Sequence, residues 1–233
     1  MAMTTLSRPT RAVGLWASVI ATTCSVAYVV GQLAEWLGWL GSAGGPSSMS
    51  TPLGFVVLLT PSLVLGPSFL LLMAAVHDAA PPDRTVWSLG AVLFATIYCT
   101  LISINYYVQL AWVLPRLVAG RTPGMEPFLF VPFDSFLYAV DILGYSFMSL
   151  ATWCAGLALT SQGREGLARR WLLANGCVLP FLALQMYWHE LIWVATAWAL
   201  TFPAAMVTLA RVFRAADVRA VVPAAAGPAP RAA

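Results

Sequence analysis

Read from its start, the chain alternates between long apolar runs and short polar interruptions. Six runs approach or exceed the roughly 20 residues that an α-helix needs to cross a bilayer core about 30 Å thick. They are Val13–Leu33, Pro52–Val76, Thr85–Ala111, Ser135–Thr160, Trp171–Trp188 and Leu191–Phe213. The segments between them are too short for a separate soluble domain. The pattern therefore predicts an all-α polytopic membrane protein, a six-helix bundle over residues 1–214. Residues 215–233, ending in VVPAAAGPAPRAA, are expected to be a disordered Ala/Pro-rich tail. Arg8, Arg11 and Ser25-Val26-Ala27 loosely suggest a signal peptide, but the first apolar run is longer than such a leader needs, so it is expected to stay as an uncleaved helix.

Polar residues inside these runs are the exceptions worth following. Asp141 lies in the fourth run, where an ionisable group costs a few kcal/mol unless it faces protein or a wet cavity. Asp134, Tyr138, Asp141, Tyr145, Ser149 and Thr152 are spaced by three or four residues, which sets them along one helix face. The third run carries a second line, Thr96, Thr100, Ser103 and Tyr107, with Asn105, Tyr106 and Gln109 near its far end. Both lines are expected to turn inward. Pro61, Pro67, Pro180 and Pro203 fall inside runs and tend to kink them.

Charge orients the helices. The chain has 12 Lys+Arg, all of them Arg, against nine acids. Assigning loops to alternate sides puts ten Arg on the side of the termini and only Arg116 and Arg121 opposite. By the positive-inside rule both termini are then cytoplasmic, in a cell (inner) membrane. Trp36, Trp39, Trp112, Trp188 and Trp193 fall near the outer interface and Trp16, Trp87 and Trp171 near the inner one, as anchoring indoles should. The long loop Val113–Asp134, with four Pro and three Phe, is expected to lie on the bundle. The Arg-and-Ala-rich, Lys-free composition resembles a GC-rich bacterial coding bias.

Composition also excludes chemistry. Without lysine, no retinal or pyridoxal Schiff base can form. No basic run suggests nucleic acid. Cys24, Cys99, Cys154 and Cys177 are isolated within runs and read as buried thiols, not as metal ligands or disulfides. His189-Glu190 is not followed by the second His of a zinc protease, since residue 193 is Trp. Neither a metal nor a cofactor is expected.

On the outer side the acids Glu35, Glu126, Asp134, Asp141 and Glu190 outnumber the two Arg, which were the natural partners for them. The expectation is an outward-facing polar, acidic pocket centred on Asp141. A carboxyl group out of water can serve as a general acid or proton-exchange site, so Asp141, Glu190 and His189 are the candidate catalytic groups. Candidate ligand contacts are Asn105, Tyr106, Tyr107, Gln109, Asp134, Tyr138, Tyr145, Glu35 and Trp188. Three functions fit: binding of an apolar or amphipathic, lipid- or isoprenoid-like ligand; acid/base catalysis on such a molecule; or proton-coupled transport. Membrane lipids, that ligand and a second copy or partner subunit are the expected partners.

Overall fold

The computed structural model describes residues 5–218. Six helical stretches in it are long and apolar enough to cross a membrane: Arg8–Trp36, Pro52–Ala79, Pro82–Val118, Phe136–Ala158, Gly163–Leu184 and His189–Ala215. The protein is an all-α six-helix membrane bundle, and these stretches are its first to sixth spans.

Every apolar run of the sequence became a span, but the ends differ. Several helices overrun their runs at polar ends, whereas the fourth, Phe136–Ala158, stays within its run and the fifth stops at Leu184, short of Trp188. The first starts at Arg8 because Ser7 accepts a bond from the Thr10 N–H at 3.2 Å and Pro9 suits the opening turn. The fifth begins at Gly163, well ahead of Trp171, and the third continues to Val118 through a π-helical turn, Gln109–Val113. Hydropathy marks the hydrocarbon slab, whereas capping and backbone bonding set where a helix stops.

Consecutive spans pack side by side, and the sixth closes against the first, so the six form a ring. One end of the ring carries both described chain ends and is called the terminal face; the opposite end is the loop face. Thr5–Leu6 and Asp217–Val218 pair there as a two-residue parallel ladder. The rest of the expected tail, 219–233, lies outside the described residues. The fourth span is the most enclosed, with 67% of its most apolar stretch buried against 28% in the first. Around the rim Val30, Leu53, Leu71, Leu93, Ile104 and Leu200 point outward, as a lipid-facing surface requires.

Only one of the four prolines coincides with a break. Pro180 has no N–H to offer the carbonyl at position 176, and the fifth span splits into Gly163–Gly176 and Leu179–Leu184. Pro61 and Pro67 sit within the continuous helix Pro52–Ala79, and Pro203 within Trp198–Ala215. The sixth span is interrupted elsewhere, between Ile192–Ala195 and Trp198–Ala215.

On the terminal face, arginines cap open helix ends. Arg84 and Arg169 both donate to the Leu159 carbonyl beyond the fourth helix, and Arg169 also reaches the Gly156 carbonyl at 3.2 Å. Arg11 donates to the carbonyls of Phe213 and Arg214 at 3.2 and 2.9 Å. Cations at helix C-termini complement the helix dipole, so part of the arginine excess has structural work there.

The candidate site, a cavity with two carboxylates

A ring of rings fills the middle of the bundle. Tyr145, Trp198, Phe202, Phe69 and Tyr98 contact one another in a closed cycle, with successive centroids 5.4, 5.2, 5.6, 5.7 and 5.7 Å apart. Tyr28 of the first span adds an edge contact to Trp198 at 5.8 Å. These side chains come from the first, second, third, fourth and sixth spans, so the cluster packs the middle of the bundle with aromatic surface.

Above this floor, toward the loop face, lies a cavity of about 210 Å³. Tyr28, Gln32 and Glu35 of the first span, at helical spacing, form one wall. Tyr138, Asp141 and Tyr145 of the fourth span form another. Gln185, Thr196 and Trp198 come from the broken fifth and sixth spans, where irregular backbone lets side chains face the space. Apolar surface from Val29, Leu58, Ile142, Leu182 and Ile192 completes it, and the loops contribute Gly45, Pro46, Phe130 and Pro132. The loop 113–134 does lie on the bundle: Met125 is buried, and Phe130 and Phe133 each meet the Tyr138 ring edge-on at 5.4 Å.

The two carboxylates are held differently. Asp141 accepts a bond from the Asn105 amide at 3.3 Å, and that amide also donates to the Leu137 carbonyl at 3.1 Å. The Tyr106 hydroxyl faces the same carboxyl group and donates to Tyr145 at 3.2 Å. Tyr138 donates to Gln185 at 3.3 Å, linking the fourth and fifth spans across the cavity. Glu35 is 2% exposed, and neither of its carboxylate oxygens has a hydrogen-bond partner. Gly54 makes room for it, since a Cβ at that position would come 2.7 Å from Glu35 Oε2. A buried carboxylate with no partner costs several kcal/mol unless it is protonated or paired.

The structure thus brings together Asp141, Asn105, Tyr106, Tyr138 and Tyr145, and places Glu35 on the same cavity. Gln109 is buried but turned away from it, donating to the Phe128 carbonyl at 3.3 Å. Asp134, His189, Glu190, Trp188 and Tyr107 are exposed and line no part of it. His189 stacks on Phe133 at 4.2 Å, so the expected approach of His189 and Glu190 to Asp141 does not occur. Their short hairpin keeps them at the rim.

Two further expectations are corrected. Thr96, Thr100 and Tyr107 face outward, because each threonine hydroxyl donates to the carbonyl four residues before it and needs no protein partner. The inward face of the third span is instead Tyr98, Ile102, Asn105, Tyr106 and Gln109. The two loop-face arginines do not pair with the acids: Arg116 lies over the Trp112 ring at 4.2 Å and Arg121 is exposed. Arg84 forms an ion pair with Asp83 on the terminal face, 3.8 Å apart. Trp36, read as an anchor, also lines the cavity and packs on Trp193 at 5.7 Å.

Tyr28, Gln32, Gln185, Thr196 and Trp198 were not foreseen. The spacing of Tyr28, Gln32 and Glu35 was a readable signal; the others depend on helix breaks that periodicity does not reveal. The fold and site define a multi-pass membrane protein with an acidic, aromatic-walled cavity near its loop face. No family model, no curated protein and no solved structure matches the chain.

Proposed function

We propose that this cavity binds an apolar or amphipathic small molecule, lipid- or isoprenoid-like, with its polar end at Glu35 and Asp141. One observation carries the reading: a mostly apolar space is lined by two buried acidic residues, Glu35 and Asp141, and both carboxylate oxygens of Glu35 are unpartnered. Preformed apolar pockets with a few convergent polar groups are the usual form of a small-molecule site. Binding is favoured over acid/base catalysis because His189 and Glu190, the expected assistants, lie outside the cavity. It is favoured over transport because aromatic surface from Tyr98 to Trp198 packs the bundle below the cavity.

The ten-to-two arginine distribution supports cytoplasmic termini and hence a cavity opening outward. In a background lacking the four native cysteines, an impermeant thiol reagent on intact cells should label Ser47→Cys and spare Gln162→Cys. The opposite pattern reverses the orientation.

The binding reading is tested by native mass spectrometry of the full chain released from mild detergent. The wild type should carry a bound amphiphile. Ala199→Phe, which fills the cavity from its wall, should lose that mass and keep a cooperative melt. Equal retention by both proteins would overturn the reading.

A further inference from the structure

Resting on that reading, the geometry points to a narrower ligand class: we propose that the polar end is a cation, a quaternary or protonated amine on an apolar chain. The lining of the cavity contains two acids and no Arg, Lys or His. Glu35 Oε1 and Oε2 are buried, without donors of their own. An ionised carboxylate in that position needs a positive charge close by, and no basic residue lines the cavity. A bound ammonium would answer this need directly, with a charge-assisted contact to Glu35.

The walls fit the same chemistry. Tyr28, Trp36, Tyr138, Tyr145 and Trp198 all line the space, and the faces of such rings attract ammonium groups once water is displaced. A metal ion is a poorer match, since the described residues contain no group of three or more His, Cys, Asp or Glu able to hold one. An anionic head group is disfavoured by Glu35 and Asp141 themselves. A neutral alcohol could donate to one oxygen of Glu35 but would leave the charge uncompensated.

The test uses the full chain in maltoside detergent and four probes of equal chain length: hexyltrimethylammonium, hexanol, hexanoate and hexylphosphocholine. The expected result is that the wild type binds hexyltrimethylammonium roughly tenfold or more tighter than hexanol, the scale of a desolvated cation–π and carboxylate contact. Hexanoate should be the weakest. Glu35→Gln should lose that preference while still binding hexanol, and Glu35→Asp should keep most of it. If Glu35→Gln fails to fold, the wild-type ranking and Glu35→Asp still decide. Hexylphosphocholine binding as well as hexyltrimethylammonium supports ammonium recognition and identifies a lipid head group as the source. Weaker binding of the zwitterion supports a free amine, since no basic residue meets its phosphate. Equal binding of hexanol and hexyltrimethylammonium overturns the cation but leaves the proposed cavity site standing. Loss of all four overturns both.

Discussion

Asn175 and Glu35 are both buried polar side chains in the same bundle, and the fold treats them in opposite ways. The Asn175 amide donates to Thr152 at 3.0 Å, and its carbonyl oxygen accepts from Thr201 at 3.0 Å. That residue therefore ties the fourth, fifth and sixth spans together with both ends of its amide engaged. Glu35 lines a cavity and has no partner on either oxygen. Asp141 is intermediate, anchored by Asn105 on one side and facing the cavity on the other. A polar group whose bonding capacity is used up by neighbouring helices holds the bundle together. One whose capacity is left over at a cavity wall is free to hold something else.

The contrast can be broken by substitution. Asn175→Leu should cost the most, about 1–2 kcal/mol, the upper range for hydrogen bonds between membrane helices. Thermal unfolding in detergent should show it, with ligand mass retained below the transition. An unchanged melting temperature would remove the structural half of the comparison.

Asp141→Asn should cost less, under about 1 kcal/mol, because the new amide oxygen can still accept from Asn105. Ligand retention should nonetheless fall, as the carboxyl group facing the cavity is gone. Retention equal to wild type would take Asp141 out of the site.

Glu35→Gln should leave the melting temperature of the ligand-free protein unchanged or slightly higher, since the carboxyl group it replaces has no hydrogen-bond partner to lose. A drop as large as that for Asn175→Leu would mean that Glu35 has a structural partner after all. Thr96→Val should have the smallest effect, within about 0.5 kcal/mol, as expected for an exposed side chain bonded only to its own helix. A larger loss would show that this face of the third span meets protein.

Much of the bundle could be read from the chain because bilayer thickness imposes a length on every apolar run. Most of the fourth span's stripe was also legible: Tyr138, Asp141, Tyr145, Ser149 and Thr152 are buried, as the cost of polar groups in lipid demands, while Asp134, ahead of the helix, is exposed. The same rule misled at Thr96 and Thr100. A threonine can satisfy its hydroxyl within one helix turn, whereas Asp141 and Asn105 cannot, so only the latter report where protein lies. Glu35 is a candidate ligand contact from its place among the loop-side acids, and its helical register with Tyr28 and Gln32 adds a clue that composition does not. Gln185 and Trp198 were beyond reach because the fifth and sixth spans break their periodicity. His189 and Glu190 lie outside the cavity lining, at the membrane rim, where two polar residues in a hairpin are already solvated.

The central claim is that Glu35 and Asp141 face an occupied cavity beneath the loop face. An experimental density map of the full chain, purified in maltoside without added ligand, tests it most directly. The expected result is elongated non-protein density that begins beside Glu35 and Asp141 and passes between Leu58 and Ile142. A space closed by repacked side chains, or Asp141 turned toward lipid, would contradict it.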